Sequence, residues 1–157
     1  DQVLSRLSTG AFVTVSDGKR LNTMTIAWGS IGFLWNRPVF TLYVRPSRYT
    51  DAVLDGSESF TISVPEAGEY REALALCGTR SGRDLDKIEA SGMRAVSSDK
   101  VLAPVLEIPG RHLECRILYR EEFDAEGIPG PVRERHYPEG DFHRVYYGEL
   151  LCAYDLM

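Results

Sequence analysis

Asn22-Thr23-Met24-Thr25-Ile26-Ala27-Trp28-Gly29-Ser30-Ile31-Gly32-Phe33-Leu34-Trp35-Asn36-Arg37-Pro38-Val39-Phe40-Thr41-Leu42-Tyr43-Val44-Arg45-Pro46-Ser47-Arg48-Tyr49-Thr50 is the stretch around which the chain is organised. It reads as two β-rich segments joined by a bend at Gly29 and Gly32. In the first segment Asn22, Thr23 and Thr25 stand beside Met24, Ile26 and Trp28, so hydrogen-bonding groups adjoin flat or apolar surface. The second, Val39 to Val44, is almost wholly apolar, as in a strand buried on both faces. It ends at Arg45-Pro46-Ser47-Arg48-Tyr49-Thr50, which offers two guanidinium groups, two aliphatic hydroxyls and a phenol. The first segment suits a planar heterocycle and the second suits a phosphate.

Working outward, Ala11 to Val15 alternates as a strand. Asp17-Gly18 then marks a hairpin turn, because both residues tolerate positive φ, and the strand returns from Leu21 to Trp28. After Pro46 a short helix is expected from about Arg48 to Leu54. Phe60 to Val64 alternates as a strand that Pro65 closes. Glu66 to Cys77 reads as a helix with Tyr70, Ala73, Leu74 and Cys77 on one face and Gly78 as its stop. A polar loop and a short helix, Arg83 to Ala90, follow. Ser97 to Pro109 looks irregular, His112 to Glu122 forms a strand, and Asp124 to Asp141 reads as a mobile loop suited to a lid or partner contact. Phe142 to Tyr154 is the last strand. Many short strands with few helices predict a mainly β fold, a small barrel with helical insertions, in one domain over residues 1–157.

The balance of the 157 residues fits a soluble globular protein: 43% are hydrophobic and 26% charged. A net charge of -5 lacks the basic face that nucleic acid requires, and no apolar run reaches membrane-spanning length. Cys77, Cys115 and Cys152 are widely spaced, without a Cys-x-x-Cys pair, which predicts reduced thiols and neither zinc nor disulfide framework. No signal peptide is expected, and the cytoplasm is the expected location.

The phosphate reading rests on the fork of a guanidinium and on neutral donors at a helix start. Against it, Ser47 or Thr50 could be a helix cap and either arginine a solvated charge. Gly78-Thr79-Arg80-Ser81-Gly82 offers a second anion- or hydroxyl-binding loop, or simply a glycine cap and a turn. No Walker or Rossmann pattern is present. His112, His136 and His143 lack ligand spacing, so no metal site is expected. Lys87 draws interest only because it follows the polar loop.

Asn22 through Ser30, Arg45 through Thr50, and Cys77-Gly78-Thr79-Arg80-Ser81-Gly82-Arg83-Asp84-x-Asp86-Lys87 together resemble the flavin reductase-like, FMN-binding split-barrel family, in its flavoredoxin-like branch. His143-x-x-Tyr146-x-Gly148-Glu149 is similar to the closing strand of that family, so the resemblance spans Leu7 to Tyr154. It implies a six-stranded split β-barrel that dimerises with FMN at the subunit interface. On this chain Asn22, Thr23, Met24, Thr25 and Trp28 would approach the isoalloxazine. Arg45, Ser47, Arg48, Tyr49 and Thr50 would take phosphate and ribityl chain. Cys77, Gly78, Thr79 and Ser81 would wall the other side. Lys87 and Trp28 would tune the ring electronically, since catalysis itself would be the flavin's. The implied activity is an oxidoreductase passing electrons from NADH or NADPH through FMN to free flavin or a redox-protein acceptor. An FMN-holding electron carrier reduced by a partner protein is the rival within the fold, and a non-redox ligand-binding module the rival outside it.

Overall fold

Alternation of apolar and polar residues builds the first hairpin of the computed structural model, which describes residues 2–157. β1 (Ala11–Ser16) and β2 (Leu21–Ile26) pair antiparallel, with Ala11 opposite Ile26 and Ser16 opposite Leu21. The turn is the expected one: Gly18 has φ +89°, and the Asp17 carboxylate accepts from the backbone N–H groups of Lys19 and Arg20.

The glycine-rich piece expected as a bend is itself a strand. β3 (Gly29–Leu34) pairs with β4 (Arg37–Val44), and the reversal falls at Trp35-Asn36, with φ of 52° and 58°. A two-residue hairpin turn of this kind needs positive φ at both central positions, which Asn accepts readily and Trp does not. Pairing of Leu34 with Arg37 outweighs that local preference.

The remaining elements are α1 (Gln2–Leu7), α2 (Tyr49–Asp55), β5 (Ser59–Pro65), α3 (Arg71–Thr79), α4 (Lys87–Ala90), β6 (Ala95–Val96), β7 (Val105–Leu106), β8 (Gly110–Glu122), α5 (Gly130–His136) and β9 (Arg144–Leu156). Three expectations change here. The third helix starts at Arg71, not Glu66, and runs through Gly78 rather than stopping there. A Cβ at position 78 would crowd the Thr25 side chain at 3.3 Å, so the glycine serves helix-to-sheet contact. Residues 97–109, expected to be irregular, contribute β7, which pairs with β6. The segment 124–141, expected as a loop, carries a 3-10 turn at Ala125–Gly127 and α5.

The main sheet runs β2-β1-β5-β8-β9-β4-β3, antiparallel throughout, with one strand more than the resemblance implied. β8 and β9, 13 residues each, form its spine and pair with register shifts at Glu114/Cys115 and Ile117/Tyr119. Such bulges bend a long ribbon and let a sheet this wide curl into a barrel. Val13, Val15, Met24, Ile26, Phe40, Leu42, Phe60, Ile62 and Tyr146 fill the interior. Gly148 permits this packing, since a Cβ there would strike the Phe60 ring. A second cluster joins Phe12, from the outer face of β1, to Ala73, Leu74, Cys77, Ile88, Leu106 and Ile108, which docks α3 and α4 on the barrel. The polar face of β5 is covered as well. Thr61 Oγ1 donates to the Pro104 carbonyl, and the Ala103 N–H donates to Ser59 Oγ.

Candidate functional site

The turn 45–50 between β4 and α2 is where the separated sequence blocks meet. Pro46, with no N–H to continue the ladder, ends the strand, and the next residues bond to three different parts of the chain. Asn22 Nδ2 of β2 donates to Thr50 Oγ1 at 2.8 Å. Arg48 reaches the C-terminal end of α3, donating to the carbonyls of Cys77 (3.3 Å) and Gly78 (3.1 Å). Arg83 returns the connection by donating to the Ser47 carbonyl at 3.2 Å and lying over the Tyr49 ring. Gly82 lets these loops close together, because a Cβ there would run into both Asn22 and Tyr49.

The third connection is to the segment between β8 and β9. Ser47 donates its N–H and its hydroxyl to the two carboxylate oxygens of Asp141, at 3.1 and 2.5 Å. Arg45 donates to the carbonyls of His136 (2.7 Å) and Asp141 (3.3 Å), with its guanidinium 4.8 Å from the Tyr137 ring centre. The segment expected to be a lid is therefore tied to the same turn.

Positive charge gathers here. Lys87 is buried, and its Nζ donates to the carbonyls of Cys77 and Arg80 at 3.0 and 3.2 Å. Lys87 and Arg48 thus share the Cys77 carbonyl at the negative end of α3, where helix carbonyls lack internal partners. Burial, reinforced by the Arg48 charge, pulls the Lys87 ammonium down to about 8. Burial also lowers Arg48. Among the described residues, the ion pairs involve neither Arg45, Arg48 nor Lys87.

Beside these cations lies a chamber of about 210 Å³ lined by Met24 to Trp28, Tyr43, Arg45, Arg48 and His143. Trp28, half exposed, stands between β2 and β3 with its ring 5.3 Å from His136 and 5.4 Å from His143. His143 is buried, and burial first, then the Arg45 charge, lowers it to about 4. It is neutral near pH 7. Its Nδ1 lies 2.6 Å from the Tyr137 hydroxyl. Burial raises the Tyr137 pKa, so the phenol keeps its proton near pH 7 and its hydrogen bond to the imidazole joins two neutral groups.

The expected residues divide by position. Met24, Thr25, Trp28, Arg45 and Arg48 line the chamber. Asn22, Ser47, Tyr49, Thr50, Cys77 and Gly78 form the contacts behind it. Thr25 Oγ1 donates to the Leu74 carbonyl, which fixes β2 to α3. The Thr23 side chain is fully buried and bonded to Thr14 and the Val13 carbonyl, away from the chamber. Thr79 Oγ1 donates within its own helix to Ala75, and Ser81 Oγ accepts from the Arg83 N–H. Lys87 spends its donors on α3 rather than lining the cavity. Sequence reasoning overlooked Tyr43 and His143 as wall residues. Tyr43 sits in an apolar run that offers no facing, whereas His143 was visible in the closing-strand motif.

A cation-flanked chamber with an aromatic wall can accept an anionic, partly flat molecule. FMN fits that donor set. Hydrogen bonds to carbonyls use two of the five guanidinium N–H groups of Arg45 and two of those of Arg48, leaving donors for phosphate oxygens. Met24, Ile26 and Trp28 offer apolar and aromatic surface for a ring system. Nucleophilic chemistry finds less support. Ser63 Oγ lies 3.0 Å from His112 Nδ1, but both residues are completely buried and the other ring nitrogen bonds the Ile108 carbonyl. Among the described residues no cluster of His, Cys, Asp or Glu could hold a metal ion.

Comparison with known proteins identifies the fold and the family. The chain is 27% identical over 140 residues to an uncharacterised protein of Archaeoglobus fulgidus, covering 89% of this chain and 68% of that protein. The fold matches flavoredoxin from Methanosarcina acetivorans with a TM-score of 0.73 at 22% identity, over 94% of this chain and 68% of that one. An FMN-binding protein from Thermus thermophilus, solved with bound 1-cyclohex-2-enone, gives 0.71 at 23% identity, over 93% and 69% of the two chains. An NADH:FAD oxidoreductase of Streptomyces globisporus gives 0.69 at 22% identity, over 99% and 84%. The family model described as "flavin reductase like domain" matches residues 4–153, so the chain belongs to the flavin reductase-like family and its mainly β fold is that family's split barrel.

Proposed function

We propose that this protein is an FMN-dependent oxidoreductase that takes electrons from NADH or NADPH and delivers them to free flavin or to a redox-protein acceptor. The observation that carries this reading is the convergence of Arg45 and Arg48, without a carboxylate ion pair among the described residues, on a chamber walled by Met24, Ile26, Trp28 and Tyr43. When bound, FMN supplies the two-electron chemistry, which explains a site without an evident acid–base triad. Arg45 and Arg48 hold the phosphate through charge-assisted hydrogen bonds. Trp28 orients the ring, and Lys87 keeps positive charge behind the cradle. Neutral His143, held by Tyr137, presents an imidazole to the chamber without adding a second charge.

A homodimer with the flavin between subunits is part of the proposal. β3 is an edge strand, and Phe33, Trp35 and Tyr119 form an exposed aromatic face beside it, with the Trp35 and Tyr119 rings 6.3 Å apart. Covering such a face removes both an open strand edge and apolar surface from water.

The test is an absorption spectrum of protein loaded with FMN and passed through gel filtration. A retained yellow chromophore that bleaches with NADH or NADPH under nitrogen is the expected result. Arg45→Ala combined with Arg48→Ala weakens FMN binding by about 1.5–3 kcal/mol per arginine; unchanged affinity refutes the phosphate assignment and favours a non-redox module. The likeness to flavoredoxins supports a second reading, an electron carrier. In that case FMN is retained but neither nucleotide reduces it, while a protein donor does.

A further inference from the structure

A second cavity, of about 310 Å³, adjoins the first and shares Trp28 and Tyr43 with it. Its other walls are Phe123 from beyond β8, Val132 and His136 of α5, and Tyr137. Five of these six side chains are rings. Trp28 meets the His136 ring edge-on, and Tyr43 lies 5.7 Å from Phe123 at an interplanar angle of 30°. The walls present little polar surface to the cavity. The Tyr137 hydroxyl is turned onto His143, and the Arg45 guanidinium lies 4.8 Å from the Tyr137 ring centre but is not among the lining side chains.

We propose that this cavity is a second binding site, for the uncharged aromatic ring of a small molecule, and that α5 sets its selectivity. Ring walls at mutual tilts offer edge and face contacts to a flat guest. So little polar surface penalises a charged guest, whose lost hydration little would replace. The volume lies at the lower end of the range for small-molecule sites, which suits one ring or a fused pair rather than a nucleotide. Trp28 and Tyr43 border both cavities, so a ring bound here shares two aromatic walls with the proposed flavin site. The selectivity residues come from the insertion between β8 and β9, and they do not include the phosphate cradle.

The pair 4-nitrotoluene and 4-nitrobenzoate tests this directly, since the two differ in charge but hardly in shape and both quench indole fluorescence. In a Trp35→Phe background Trp28 is the sole tryptophan. Saturable quenching by 4-nitrotoluene, with Kd at least tenfold below that of 4-nitrobenzoate, is the expected result. Val132→Phe, which fills the cavity from α5 without adding an indole, raises the 4-nitrotoluene Kd at least tenfold. Val132→Arg is the substitute if circular dichroism shows the first variant misfolded. Saturating FMN does not displace the probe. Tighter binding of the benzoate, insensitivity to both Val132 variants, or displacement by FMN overturns the proposal. So does a Val132 variant that changes the sedimentation state of a protein that never binds the probe, which assigns the cavity to a second copy of the chain. Because quenching is read without flavin, a protein that fails to retain FMN still reports on this site.

Discussion

His143 is kept neutral first by burial among the rings of Trp28, Tyr43, Phe123 and Tyr137, then by the Arg45 charge, with Asp141 opposing and His136 adding to the effect. Its folded pKa of about 4 lies below the 6.5 of a free imidazole. Between those values the unfolded chain binds a proton that the folded chain does not, so stability is full above pH 6.5 and falls as pH drops toward 4. The loss attributable to this residue is of order 2 kcal/mol, allowing for partial solvation. His143→Gln, neutral at every pH, flattens that limb of the stability curve, as urea unfolding between pH 7 and 4.5 would show. Lys87 gives the opposite handle. Its ammonium is charged below about 8, so affinity for FMN weakens as pH rises from 7 to 9, and Lys87→Met removes the dependence. Fluorescence titration of FMN across that range provides the check. At this scale the sequence was candid about residue types and silent about use. Thr23 and Thr25 look alike in the chain, yet one is bonded inside the barrel and the other borders the chamber.

The helix that follows the cradle is held to the sheet by a buried carboxylate. Asp51, in the first turn of α2, accepts from the Tyr146 hydroxyl at 2.6 Å and from Arg144 Nη1 at 2.8 Å, both on β9. Burial raises its pKa, and those two donors oppose the rise. Asp51→Ala strands the Tyr146 hydroxyl in the core and frees α2 from β9, at a cost of about 3 kcal/mol. Chemical denaturation would measure the loss, and FMN affinity should weaken with it because Thr50 and the turn move too. Elements were legible where one rule dominated. The β1–β2 hairpin announced itself through Asp17-Gly18, and β5 through strict alternation. The β3–β4 hairpin did not, since glycine in a strand and tryptophan in a left-handed turn both run against propensity. Tertiary pairing decided those residues.

The aromatic face of Phe33, Trp35 and Tyr119 belongs to the molecule as a whole. If two copies join there, Phe33→Glu with Trp35→Glu shifts sedimentation from dimer to monomer, and flavin retention falls in the same samples. A wild-type monomer refutes the dimer, and a double variant that stays dimeric places the interface elsewhere. No helix among the described residues is long and apolar enough to cross a membrane, so this face is not part of a helical span.

Local composition and period alone determined that the chain is mainly β, where most strands lie, and which two stretches, 45–50 and 78–82, offer donors for an anion. Those properties depend on neighbours in sequence: alternation, turn residues, and the stop that proline imposes on a ladder. Only the tertiary structure decided that Arg48 and Lys87 meet on one carbonyl, that Asp141 sits on Ser47, and that α5 walls a second cavity against Trp28. Each of these joins residues far apart in the chain through packing and hydrogen bonds whose geometry no local pattern encodes.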